Sequence, residues 1–258
     1  MTSPVLICRP GERGEVLAEA IRSQGWPVER LDVMQLVPLK ESAALRDTWL
    51  NIDQFQKVVV VSPFAAQCLA EALDRYWPQL PLGIAYYAVG AATAAALHQL
   101  LGIRVHLPSS TREDTSEALL ELASLHEVAG QRILLVTGEG GRPLLDDTLS
   151  SRGARITRAA TYRRQLDAPA SGMRERLARG DYRALIVTSG ELLEHLANWC
   201  DQAALNQLLI VSSRRLATLA GTLGFRTPMV ASGATPAALT AALARACNPK
   251  DADVDQGT

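Results

Sequence analysis

The chain has 258 residues, 48% apolar and 21% charged, which is the balance of a globular protein with side chains for one large core or two modest ones. A net charge of −1 and a pI near 6.4 exclude a surface built for polyanions, so neither nucleic acid nor a membrane is an expected partner. Four dispersed cysteines (Cys8, Cys68, Cys200, Cys247) form no CxxC pair, and His98, His106, His126 and His195 show no ligand spacing, so reduced thiols are expected and no metal site is.

Taken in chain order, the first predicted strand is residues 5–8, with no basic segment or long apolar stretch before it. No export signal is therefore expected, no apolar run reaches 18 residues, and the cytoplasm is the expected location. Further short runs rich in Val and Ile fall at 58–61, 84–89, 133–136, 184–187 and 208–211. They are continuous rather than alternating, which predicts parallel strands covered on both faces. Helical patterns follow nearly all of them, so the fold class is α/β with right-handed crossovers. Residues 29–38 and 156–166 are extended in character, and the polar tail 248–258 is expected to be disordered.

The sequence repeats itself. Residues 5–25 align with 133–153 at an offset of 128, and Val16, Leu17, Ala20, Ile21 and Gly25 fall on Leu144, Leu145, Thr148, Leu149 and Gly153. Residues 58–69 match 184–196, pairing Ser62 with Ser189, and residues 88–104 match 210–226. Ordered matches at nearly one offset mark an internal duplication into two α/β halves.

There is no GxSxG elbow, phosphate-loop lysine motif or HExxH helix. Instead, small and hydroxyl residues recur where strands give way to helices. These are Arg9-Pro10-Gly11, Ser62-Pro63-Phe64, Gly90 to Thr93, Gly138 to Arg142, Thr188-Ser189-Gly190 and Ser212-Ser213. Open α/β sheets bind ligands at such carboxyl ends, and two facing sets would line an interdomain cleft. Helix capping explains each hydroxyl equally well. Three lysines against 23 arginines suits carboxylate binding, although a GC-rich genome gives the same bias. Arg152, Arg155, Arg158, Arg163 and Arg164 crowd one stretch, either as a solvated strand or as an edge that steers carboxylates.

Cys8-Arg9-Pro10 followed by residues 15–21 and Gly25 resembles the start of the uroporphyrinogen-III synthase family. So do Leu135 to Arg142 with Leu145, Gly153, Tyr162 and Arg163, together with Val61-Ser62-Pro63 and Val89-Gly90 to Thr93-Ala94. The resemblance runs in order from residue 4 to about residue 245. It implies two flavodoxin-like parallel-sheet domains joined by a two-stranded hinge, one formed by 1–35 with 168–258 and the other by 38–165. It implies a cofactor-free cyclising lyase that takes hydroxymethylbilane, handed over by hydroxymethylbilane synthase, and closes it with loss of water and inversion of ring D through a spiro intermediate. A monomer is expected.

The same resemblance gives Tyr162 as the catalytic residue near the leaving group. It gives Arg9, Ser62, Pro63, Phe64, Gly90, Thr93, Gly138, Arg142, Thr188, Ser189, Gly190 and Ser212 as substrate-binding. Val61 departs from a threonine found in many members, and Arg214-Arg215 from a Thr-Thr pair in some. The rival reading is a non-catalytic two-domain protein that binds a small ligand, or a regulatory relative without activity.

Overall fold

The computed structural model describes residues 3–108 and 115–247; the tail expected to be disordered lies outside them. The chain divides into two compact units. One takes the described residues up to Gln35 and from Leu166 onward, and the other is Leu36–Gln165.

The first unit opens with β1 (Val5–Cys8), α1 (Glu12–Arg22) and β2 (Val28–Arg30). The chain enters the second unit on β3 (Met34–Pro38). It continues through α2 (Ala43–Leu50), β4 (Lys57–Val60), α3 (Pro63–Tyr76), β5 (Ala85–Ala88), α4 (Ala91–Leu101) and β6 (Val105–His106). Then come α5 (Ser116–Leu120), β7 (Arg132–Gly138), α6 (Leu144–Ser151) and the long strand β8 (Arg155–Leu166), on which the chain returns. The first unit is completed by α7 (Ser171–Arg179), β9 (Ala184–Val187), α8 (Gly190–Ala197), α9 (Gln202–Leu205), β10 (Leu209–Val211), α10 (Arg214–Thr222), β11 (Pro228–Val230) and α11 (Pro236–Cys247).

The first sheet has the order β2-β1-β9-β10-β11 with every pair parallel. The second has the order β3-β8-β7-β4-β5-β6, parallel from β8 to β6. Matching strands by the sequence repeat sets β1 against β7, β9 against β4 and β10 against β5. The two sheets then have one order, with β3 as an added edge. Leaving β3 aside, each unit therefore draws the two strands on one side of its sheet from one sequence half and the other three from the other half. The duplication is shared across the units rather than divided between them.

Local detail repeats as well. Gly25 and Gly153 both take the left-handed conformation, with φ of 85° and 84°. The next amide reaches back to the preceding helix in both places: Trp26 N–H to Ile21 C=O at 3.4 Å and Ala154 N–H to Leu149 C=O at 3.1 Å. This closure favours glycine, because a Cβ is strained at positive φ.

Both faces of each sheet are buried, which accounts for the unbroken apolar runs. In the first unit, Val5, Ile7, Ala184 and Ile186 pack under α1 and α11. Leu6, Cys8, Leu185 and Val187 face the α8 and α10 side. In the second, Val58, Val60, Leu134 and Val136 pack under α3, while Val59, Ile133 and Leu135 face α6. All six predicted apolar runs lie on strands. The outer strands β6 and β11 carried no such signal: one is two residues long and the other begins with proline. Among the described residues, no helix is long and apolar enough to cross a membrane.

Candidate active site

In each sheet the strand order reverses once, between β1 and β9 in the first unit and between β7 and β4 in the second. At such a point the following helices leave on opposite faces, and the loops at the carboxyl ends part to leave a crevice. The loops beginning at Arg9 and Thr188 flank the first reversal, and those beginning at Ser62 and Gly138 flank the second.

The second reversal carries Tyr162. Its strand is in register with β7 up to Thr137 opposite Ala160, and then Gly138 pairs with Tyr162, leaving Thr161 as an extra residue. Simple alternation would put Ala159 and Tyr162 on opposite faces. The bulge brings both into the core beneath α3. The backbone is secured there by Glu139 N–H to Tyr162 C=O at 2.6 Å and by Thr161 Oγ1 to Thr137 C=O at 3.2 Å. The ring is 7% exposed and meets Phe64 edge-on, with centroids 5.2 Å apart. Its hydroxyl lies 3.0 Å from Ser62 Oγ, and that oxygen also accepts the Ala65 N–H at 3.1 Å as the cap of α3. Tyr162, Ser62, Phe64 and Gly138 thus form one cluster.

The other expected residues are placed differently. Gly90 starts α4, and Thr93 in its first turn is buried, 3% exposed. Pro63 is exposed at the start of α3. Arg142 is exposed, but its fork is held by Glu117 of α5 at 2.8 and 3.0 Å. That pair holds the Glu117 carboxyl below the usual range and the guanidinium above it. Arg158 steadies the same loop by donating to Gly140 C=O at 2.5 Å, and Arg152 donates to the carbonyls of Leu120 and Leu125 at 2.9 Å. These two arginines of the basic stretch thus brace backbone carbonyls.

In the first unit, Arg9 donates to Ala234 C=O at 2.6 Å, and burial together with Arg13 lowers its pKa. Thr188, Ser189 and Gly190 are half-buried at the start of α8, where the Ser189 hydroxyl makes no capping bond. Ser212 is half-buried, and its neighbour Ser213 caps α10 by accepting from Leu216 N–H at 3.4 Å. Cys8, at the end of β1, is buried, and burial, with Asp32 second, pushes its thiol up to about 12, away from the reactive thiolate form. Among the described residues no group of three or more His, Cys, Asp or Glu is arranged to hold a metal ion.

A family model described as Uroporphyrinogen-III synthase HemD matches residues 15–241. The chain belongs to the uroporphyrinogen-III synthase family. It is 34% identical over 250 residues to the uroporphyrinogen-III synthase of Escherichia coli (strain K12), spanning 93% of this chain and 99% of that one. To the uroporphyrinogen-III synthase of Salmonella typhimurium (strain LT2) it is 34% identical over 247 residues, with the same coverage. Its fold matches the uroporphyrinogen III synthase of the extremely thermophilic bacterium Thermus thermophilus with a TM-score of 0.57 at 20% identity, over 96% of this chain and 99% of that one. For the Helicobacter pylori 26695 uroporphyrinogen-III synthetase the TM-score is 0.55 at 15% identity, over 95% and 99%.

Within the uroporphyrinogen-III synthase framework, the signals that sequence reasoning missed are conformational. Thr161 supplies the bulge that aims Tyr162, and Glu117 occupies the Arg142 fork. No local pattern marks either residue.

Proposed function

We propose that the chain is a uroporphyrinogen-III synthase, a cyclising lyase of haem biosynthesis that works without a cofactor as a cytoplasmic monomer. The observation that carries this reading is the family match across residues 15–241. The substrate is hydroxymethylbilane, supplied by hydroxymethylbilane synthase. Loss of its hydroxyl is driven by a pyrrole nitrogen lone pair and leaves an electrophilic azafulvene on ring A. The substituted carbon of ring D attacks, and the resulting spiro intermediate fragments and recloses with ring D inverted.

The chemistry asks for little acid help and much control of conformation. In this reading Tyr162 donates its phenolic proton to the departing hydroxyl. The loops at the carboxyl ends of both sheets, including Arg9, Gly90, Thr188, Ser189, Gly190 and Ser212, engage the carboxylates through backbone N–H groups, hydroxyls and arginine. Hydroxymethylbilane incubated with the protein, followed by oxidation and separation of the isomers, tests the proposal. Type III product supports it, and only the type I product of spontaneous closure refutes it. No observation favours the ligand-binding alternative.

A further inference from the structure

We propose that Ser62 and Gly138 serve the reaction as positioning residues for Tyr162 rather than as ligands of the substrate. This rests on Tyr162 being the proton donor.

Ser62 has one proton and two lone pairs, and one lone pair is committed to the Ala65 N–H at the start of α3. Two arrangements remain for its 3.0 Å contact with the Tyr162 hydroxyl. If Tyr162 donates to Ser62, the phenolic proton is tied up and cannot reach a leaving group. If Ser62 donates, its proton meets a lone pair of the phenol, and the Tyr162 proton stays free to point outward. An amide bonded to the serine oxygen polarises that hydroxyl as a donor, and the positive end of α3 acts in the same sense. As the carbon–oxygen bond of the hydroxymethyl group breaks, the Tyr162 proton goes to the departing oxygen and water forms. The phenolate left behind accepts the Ser62 hydrogen bond, now charge-assisted and stronger. The proton lost from the ring D carbon on final closure restores the phenol, so the cycle balances with water as the only other product.

Gly138 fixes where this happens. A Cβ there would lie 2.7 Å from Cζ, 2.8 Å from Cε2 and 3.2 Å from the hydroxyl oxygen of Tyr162. Its φ is not positive, so the backbone conformation does not call for glycine. The ring does, since it lies in the space a side chain would fill. Phe64 adds an edge-on ring contact.

A double-mutant cycle tests the inference. Ser62→Asp keeps an acceptor to cap α3 but has no proton to give. It should lower kcat about 10²-fold with KM little changed, and Ser62→Thr should recover most of that loss. Gly138→Ala, by displacing the ring, should cost kcat about 10²-fold. Combined with Tyr162→Phe, neither substitution should lower kcat further. A full additional loss in that background, or a loss carried by KM, would show direct substrate contact and overturn the inference while leaving Tyr162 as the donor. Wild-type kcat for Tyr162→Phe alone would instead overturn the role of Tyr162. Thermal unfolding reports the fold of each variant separately, and Ser62→Asp decides the matter even where Gly138→Ala unfolds.

Discussion

In the proposed mechanism Tyr162 is the residue on which the chemistry turns, and its surroundings separate function from stability. Tyr162→Phe keeps the ring, its contact with Phe64 and its burial, and removes one hydroxyl bonded to Ser62. Steady-state kinetics should show kcat reduced about 10²–10⁴-fold, the usual worth of general-acid help. Urea unfolding should show a cost of about 1 kcal/mol, that of one hydrogen bond. Wild-type turnover, or loss of the fold, would contradict this. Residue types were legible in the sequence where the reason is local: Ser62 followed by proline announces a helix cap. What could not be read is that the same oxygen meets a phenol 100 positions away. Nor could it be read that the Arg142 fork closes on Glu117, because exposed side chains choose partners by tertiary position. In the loop before α10 it is Ser213 that caps the helix, while its neighbour Ser212 does not.

Elements were legible in proportion to burial. The runs at 5–8 and 184–187 are completely buried strands, and their Val, Ile and Leu content follows from helices on both faces. The edges were silent: β11 begins with Pro228 and is half open to solvent, so no apolar run was needed. The bulge at Thr161 was invisible for a different reason. One inserted residue changes facing without changing composition, and Ala159 and Ala160 just before it leave no apolar contrast to betray it. The α3 helix carries both the capping serine and a large share of the second unit's core, with Ala65, Ala66, Leu69 and Leu73 buried. Leu69 is fully buried, so Leu69→Ala should cost about 2–5 kcal/mol in urea unfolding. A change below about 0.5 kcal/mol, the size of an ordinary surface substitution, would mean that α3 does not pack as described.

At the scale of the whole molecule, the repeat and the topology make one unusual combination. Each sequence half supplies strands to both units, so a cut between the halves separates strands that pair. Residues 34–166 are contiguous in sequence, hold all six strands of the second sheet and, produced alone, should unfold cooperatively with α/β circular dichroism. Residues 1–127 hold β1 and β2 without β9, and β4 to β6 without β7, and should not fold. The reverse outcome would contradict the exchange.

Alkaline stability also belongs to this scale. Burial raises Cys8 and Cys200 from their ordinary 9.0 to about 12, with smaller contributions from Asp32 and Asp201, and raises Tyr86 from 10.0 to about 12. The unfolded chain releases these protons first, so the stability they contribute is full below about pH 9 and is lost as pH rises from there to about 12. The Tm should hold from about pH 7 to 8.5 and decline above about 9; a constant Tm up to about pH 11 would contradict the burial of these groups.

The isomer that the protein makes is the most direct test of the proposed activity. Hydroxymethylbilane, added to protein at rising concentration and oxidised after brief incubation, yields porphyrin isomers that chromatography separates. Type III product should grow with protein concentration at the expense of type I, and much more slowly with Tyr162→Phe at equal concentration. A product that stays type I at every protein concentration would contradict it.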